Sequence, residues 1–160
     1  MSSTRDLHVY ESGDGGELSL MNGDLVLSET LFQTIYIALF GGNVESSTLG
    51  NEPANQERLD YWGNSLIFSD NPEKQFNSQT EKTLFSTAID TAGRLKIESA
   101  VNSDLFFLKK IVNFSVNVVI LTESRVQINV FLTEIENQAD RELQFIWDNA
   151  RQEIITDIQI

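Results

Sequence analysis

From Val112 onward the chain alternates. Val112, Phe114, Val116, Val118 and Ile120 take every second position, and after the polar turn Thr122-Glu123-Ser124-Arg125 the pattern resumes with Val126, Ile128, Val130 and Leu132. Leu143, Phe145 and Trp147 repeat it. A period of two puts such side chains on one face of a sheet, so the C-terminal third predicts an antiparallel β-meander with one buried face. A charged tail, 149–160, follows, spaced by Ile154, Ile155, Ile158 and Ile160. It is expected either to pack beside the meander or to be donated to another subunit.

Upstream the period lengthens. Leu31, Ile35 and Leu39 recur at i+4, as do Phe32, Tyr36 and Phe40, which predicts a helix buried on most sides. Ser28 reads as its N-cap and Glu29 as a first-turn acid. Gly41-Gly42 ends it, with glycine taking the left-handed position. Thr80 to about Ala100 predicts a second helix, with Leu84, Ala88 and Ala92 in one row and Phe85 and Ile89 beside it. Gly93 weakens its continuity, by about 1 kcal/mol relative to alanine. Asn102-Ser103-Asp104 is read as the cap of a short helix through Leu108. Before the first helix, Asp6–Tyr10, Glu17–Met21 and Asp24–Leu27 read as three strands joined by the Gly-rich turn 11–16 and by Asn22-Gly23. The expected fold class is α+β: a small N-terminal β-meander, two main helices and a C-terminal antiparallel β-meander, in a single domain over 1–160. Residues 43–79 are expected to be a long polar loop, the kind that is functional or ordered by a partner.

The formal net charge is -13, with 24 Asp+Glu against 11 Lys+Arg. Most of the excess lies in residues 1–80. Such a surface repels phosphate backbones and anionic membranes, so neither nucleic acid nor membrane is an expected partner. No apolar run approaches the length of a membrane span, and the N-terminus lacks the apolar core of a signal peptide. Cysteine is absent, which excludes disulfides, thiolate metal ligands and thiol catalysis.

Little else points to catalysis. The single histidine, His8, lies on a predicted strand with no marked orienting partner. Glu11, Asp14 and Glu17 lack the spacing of a calcium loop, and no carboxylate pair stands out as an acid–base dyad. Neither cofactor nor metal is expected, and the chain reads as a binding protein rather than an enzyme. Tyr61 and Trp62, followed by Gly63-Asn64, are read either as a core plug or as a binding anchor, since Trp and Tyr dominate interface hot spots.

The order of these features resembles the Mu-type phage baseplate wedge family, related to the sheath initiators of contractile tails. It rests on Asp6-Leu7 leading through Gly-Asp turns to Gly23-Asp24-Leu25, on the helix ending Ile37-Ala38-Leu39-Phe40, on Tyr61-Trp62-Gly63-Asn64, and on a helix and β-meander closing at Leu143–Trp147. Asn64 stands where the family commonly has Asp, and the connections after Trp62 and over 101–111 differ in length. The resemblance implies a virion protein of the tail baseplate, assembled in the host cytoplasm and present in six copies as a hexameric ring. It would link wedge proteins, and tube or hub proteins, to the first ring of tail sheath protein. Sheath lattices of this type are joined by donated strands, and strand addition uses an exposed sheet edge. The expected interface is therefore Val116, Val118 and Ile120 of the hairpin, Ile154, Ile155, Ile158 and Ile160 of the tail, and Tyr61 and Trp62 of the loop. A tail-assembly chaperone is the alternative, and an acidic-residue hydrolase a more distant one.

Overall fold

The computed structural model describes residues 4–11, 16–43, 67–136 and 138–159. It is α+β, and the chain divides into two compact units, Met1–Lys82 and Thr83–Ile160.

In the first unit, each of the three expected strands is broken in its middle. β1 (Arg5–Leu7) and β2 (Val9–Glu11) flank His8; β3 (Gly16–Leu18) and β4 (Leu20–Met21) flank Ser19; β5 (Asp24–Leu25) and β6 (Leu27–Glu29) flank Val26. The six pieces pair as three antiparallel ribbons, β1 with β6, β2 with β3 and β4 with β5. A closed ring of backbone hydrogen bonds joins them. His8 N–H donates to Val26 C=O (2.8 Å), Val26 N–H to Ser19 C=O (2.9 Å), and Ser19 N–H to His8 C=O (3.0 Å). The chain thus crosses one hub three times. Asn22 (φ 53°) and Gly23 (φ 84°) turn the tip of the β4–β5 ribbon, as an Asn-Gly pair is suited to do.

α1 (Thr30–Phe40) packs on β1, β2 and β6 and buries Phe32, Ile35, Tyr36, Leu39 and Phe40. Ser28 is not its N-cap. Glu29 takes that position, and its side chain does not cap the helix. Ser28 instead pairs with Asp6 in β6, and its hydroxyl donates to Gln33 Oε1 (2.8 Å). Buried Gln33 passes the link on, its Nε2 donating to Val9 C=O (2.9 Å). Competition from this strand and network outweighs the local cap preference. At the other end Gly42, not Gly41, has the positive φ, 95°.

α2 (Gln79–Ser86) begins beside the end of α1. Ser78 caps it: Ser78 Oγ accepts from Glu81 N–H (3.0 Å) and donates to Leu39 C=O. Ser78-x-x-Glu81 has the spacing of a capping box, yet Glu81 Oε2 turns to accept from Gly42 N–H (2.7 Å). Ser78 N–H donates to Gly42 C=O (2.9 Å), and Asn43 Nδ2 to Ser78 C=O (2.8 Å). The carbonyl and amide left over where α1 stops are thereby met inside a buried site.

The expected second helix is two helices. α2 stops at Ser86, and α3 (Thr91–Asp104) starts afresh with Asp90 as N-cap, its Oδ1 accepting from Gly93 N–H (2.7 Å). Gly93 has a steric role here. A Cβ at that position would run into the Ala88 carbonyl oxygen and Thr87 Cγ2, so the sharp turn between the helices needs glycine. Asn102-Ser103-Asp104 does not open a new helix; α3 runs through it, and a 3-10 turn over Phe106–Lys110 follows with Leu105 at its N-cap position. Asn102 Nδ2 is engaged with Glu98 C=O (2.8 Å) inside that helix.

The sheet of the second unit has the order β10-β9-β8-β7, all antiparallel: β7 (Val112–Thr122), β8 (Arg125–Glu134), β9 (Asp140–Asp148) and β10 (Glu153–Gln159). The alternating residues share its covered face. Val118, Val126, Ile128, Val130, Leu132, Leu143, Phe145 and Trp147 are all buried, and α3 lies against β7 with Ile97 and Val101 buried. The tail is the fourth strand: 153–159 packs beside β9, with a register shift between Ile154 and Thr156.

Candidate interaction surfaces

The sheet of the second unit has β7 and β10 as its edges. Only one set of β7 backbone groups faces β8. Ile135 N–H donates to Ile111 C=O, and Glu134 N–H donates to Ala139 C=O on the β9 side. In an antiparallel ladder these roles alternate. The N–H and C=O groups of Phe114, Val116 and Val118 therefore point to the outer edge. Arg94 Nη1 donating to Val118 C=O (3.4 Å) fits this parity. The strand reads VNFSVNVVILT, eleven residues without charge or proline. Charge, proline and shortness are the usual protections of a sheet edge, and β7 has none of them.

The side chains of the proposed hairpin interface lie elsewhere. Val118 is buried on the covered face, and Val116 and Ile120 are half-buried on it. The side chains that β7 turns to solvent are Asn113, Ser115, Asn117, Val119 and Leu121. On the same face Asn129 Oδ1 accepts from Gln127 Nε2 (2.8 Å) and Gln144 Nε2 (3.2 Å), a row of amides across β8 and β9. In β10, Ile154 pairs with Trp147 and Ile158 with Gln144, while Ile154 and Ile155 are half-buried. Tyr61, Trp62 and Ile160 lie outside the described residues, as does most of the 43–79 stretch. Its described part holds a 3-10 turn over Pro72–Lys74 and a bridge between Asn43 and Asn77.

Two further clusters stand out. Phe106, Phe107, Ile111 and Ile135 are exposed beside the start of β7, where Lys109 Nζ lies 4.7 Å from the Phe106 ring centroid. The ribbons of the first unit expose Leu7, Leu18, Leu20, Leu25 and Leu27. Periodicity does not find this second set, because each strand breaks after three residues or fewer. The signal that does is a repeat of acid-Leu-x-aliphatic: Asp6-Leu7-His8-Val9, Glu17-Leu18-Ser19-Leu20 and Asp24-Leu25-Val26-Leu27.

His8 sits at the hub, its ring stacked on Phe32 at 6.2 Å and 8°. Among the described residues no group of three or more His, Asp or Glu is placed to hold a metal ion, and no helix is long and apolar enough to cross a membrane.

One carboxylate has a well-defined electrostatic role. Asp148 is buried at the end of β9. Its Oδ2 accepts from Arg125 Nε (2.9 Å), and its Oδ1 from the N–H groups of Ala150 (2.9 Å) and Arg151 (3.2 Å). The hydrogen bond from Arg125 holds its pKa below the usual carboxylate range; burial opposes this, and the two backbone donors assist it. The folded-state pKa lies below the unfolded one, so the stabilisation is complete above about pH 4 and is lost as pH falls through the folded value. Asp148→Asn is expected to be less stable than the parent at pH 7. The gap narrows as pH drops below about 4, as urea unfolding at a series of pH values would show.

Searched against family models, curated proteins and solved structures, the chain matches none of them.

Proposed function

We propose that this protein is a structural subunit of a contractile, phage-type tail baseplate. It links the wedge to the first ring of sheath protein and starts sheath assembly by accepting a strand. The observation that carries this reading is the β7 edge, eleven residues long, uncharged and without proline. Such an edge is an aggregation hazard unless a partner strand covers it, and a strand added there gains main-chain hydrogen bonds along its length. The order of motifs from Asp6-Leu7 to Leu143–Trp147 supports the same assignment. In this reading the backbone of β7 is the recognition element. Val116, Val118 and Ile120 anchor the strand from below rather than meeting the partner with their side chains.

The test is Val116→Pro. It removes an N–H that faces the outer edge and leaves the β8 ladder in place, a substitution edge strands tolerate. The variant is expected to keep the parent's circular dichroism and to abolish sheath polymerisation on baseplates assembled with it. Polymerisation at the parent's rate would remove the edge from the mechanism. Mass spectrometry of purified particles separates the subunit from a tail-assembly chaperone, which would be missing from them.

A further inference from the structure

The two faces of β7 ask for different side chains on a strand laid along its outer edge. The N–H and C=O groups of Phe114 and Val116 point outward. An antiparallel strand added there therefore forms hydrogen-bonded pairs with Phe114 and Val116, and non-hydrogen-bonded pairs with Asn113, Ser115 and Asn117 between them. Side chains approach closest at the second kind of pair, where the Cα atoms are about 4.5 Å apart. Asn113, Ser115 and Asn117 all lie on the open face, and none of them is charged.

Asn117 ends a row of amides at the edge. It pairs with Asn129, which pairs with Gln144, and Gln144 Nε2 donates to Asn129 Oδ1 (3.2 Å). Cross-strand partners share a face, so an amide or hydroxyl opposite Asn117 extends the row by one strand. An aliphatic side chain there would cover polar groups without bonding them, which costs free energy. The covered face has the opposite need. Leu132 is 2% exposed, yet Phe114, its partner on β7, is only half-buried. Lys109 Nζ lies 4.7 Å from the Phe106 ring centroid and 5.9 Å from that of Phe114, and Phe106 is 64% exposed. The apolar layer stops short at β7, and an aliphatic side chain in the pair with Phe114 would continue it.

Arg94 sets the length of the free edge. From α3, its Nη1 donates to Val118 C=O (3.4 Å) and to Glu98 Oε2 (3.2 Å), one helical turn further on. The outward acceptor of Val118 is thereby occupied, and the open ladder runs from Val112 to Asn117. We infer that β7 selects an uncharged strand in which amide or hydroxyl side chains alternate with aliphatic ones. The polar set lies beside Ser115 and Asn117, an aliphatic residue lies beside Phe114, and Arg94 stops the pairing at Val118. This inference rests on the reading of β7 as a strand acceptor and names the chemistry of the strand.

The experiment uses the full chain and a pair of isomeric peptides of alternating asparagine and valine, acetylated and amidated, as long as β7. In one isomer every asparagine nitrogen is methylated, so only valine N–H groups can pair; the valines then face the covered side and the asparagines lie over Ser115 and Asn117. In the other every valine nitrogen is methylated, which forces the reverse placement with the same side chains. The first isomer is expected to bind and to slow amide hydrogen exchange at Phe114 and Val116 but not at Val118. The second is expected to bind on the order of tenfold more weakly or worse. Arg94→Ala is expected to extend the slowed exchange to Val118. Equal affinity of the isomers would leave β7 a strand acceptor and overturn the selection by side chain. Slowed exchange at Val118 in the parent would overturn the stop at Arg94. Binding of neither isomer would remove strand acceptance itself, and the inference with it. Protection of Phe114 and Val116 amides in the free chain would also overturn it, because this chain or a second copy would then already cover the edge.

Discussion

Trp147→Ala is expected to destabilise the second unit by about 3–5 kcal/mol, the range for removing a large aromatic from a packed core. Trp147 is 2% exposed, pairs with Val126 on one side and Ile154 on the other, and meets the Phe85 ring edge-on at 5.0 Å. It therefore joins three strands and α2 at a single point. Its loss leaves a cavity that rigid strands on both sides cannot close. The indole N–H has no hydrogen-bond partner among the described residues, so the cost comes from packing rather than from a broken bond. Trp147→Phe keeps a ring against Phe85 and removes the unmet donor, and is expected to cost about 1 kcal/mol. Urea unfolding followed by far-ultraviolet circular dichroism distinguishes the two. Equal losses for both variants would mean that the indole nitrogen, not the ring, is what matters. The larger loss is a major fraction of the total stability of about 5–15 kcal/mol usual for a domain.

The second large effect is expected from Ser78→Ala, at about 2–4 kcal/mol. Ser78 Oγ caps α2 at Glu81 N–H and donates to Leu39 C=O, in a buried site shared with Gly42, Asn43 and Glu81. Loss of a serine cap alone costs about 0.5–2 kcal/mol. Here the Leu39 carbonyl is left buried with one partner fewer, which adds about 1–3 kcal/mol. Hydrogen exchange provides the local readout. The amides of Gly42 and Glu81 are expected to exchange faster by on the order of 30-fold or more, the factor that corresponds to about 2 kcal/mol. Unchanged exchange at Gly42 would show that the α1–α2 junction is held by Glu81 alone.

Legibility differed sharply between the two units. In the second, alternation along Val112–Ile120 and Val126–Leu132 identified the strands, the turn between them and the covered face, because one side of the sheet is buried and burial sorts apolar from polar residues at period two. The tail was ambiguous for a physical reason. Glu153–Gln159 carries a register shift at the point where Ile154 and Ile155 lie side by side, which breaks the alternation that marks a strand. The helix break at Thr87–Asp90 was hidden because the apolar row continues through Ala88 and Ile89. Gly93 hinted at a discontinuity, but it stands inside the new helix and serves the turn before it.

For the candidate surfaces, sequence singled out an edge strand by its covered side chains and gave no sign of the backbone groups along its outer edge. Alternation marked Val116 and Val118 because they are covered, and that same covering takes them away from a partner's side chains. The three acid-Leu-x-aliphatic repeats are plain in the sequence, yet nothing in a linear pattern says that three short stretches will share one ring of hydrogen bonds.

Composition and periodicity by themselves determined the α+β class, the acidic surface and the β-meander, since each depends on local propensity and on which residues avoid water. Only the tertiary structure decided the closing of the His8–Ser19–Val26 ring, the capture of Glu81 by Gly42 and the position of β7 at the sheet edge. Those depend on which distant backbone groups find each other, and a hydrogen bond between segments far apart in the chain leaves no mark on either segment alone.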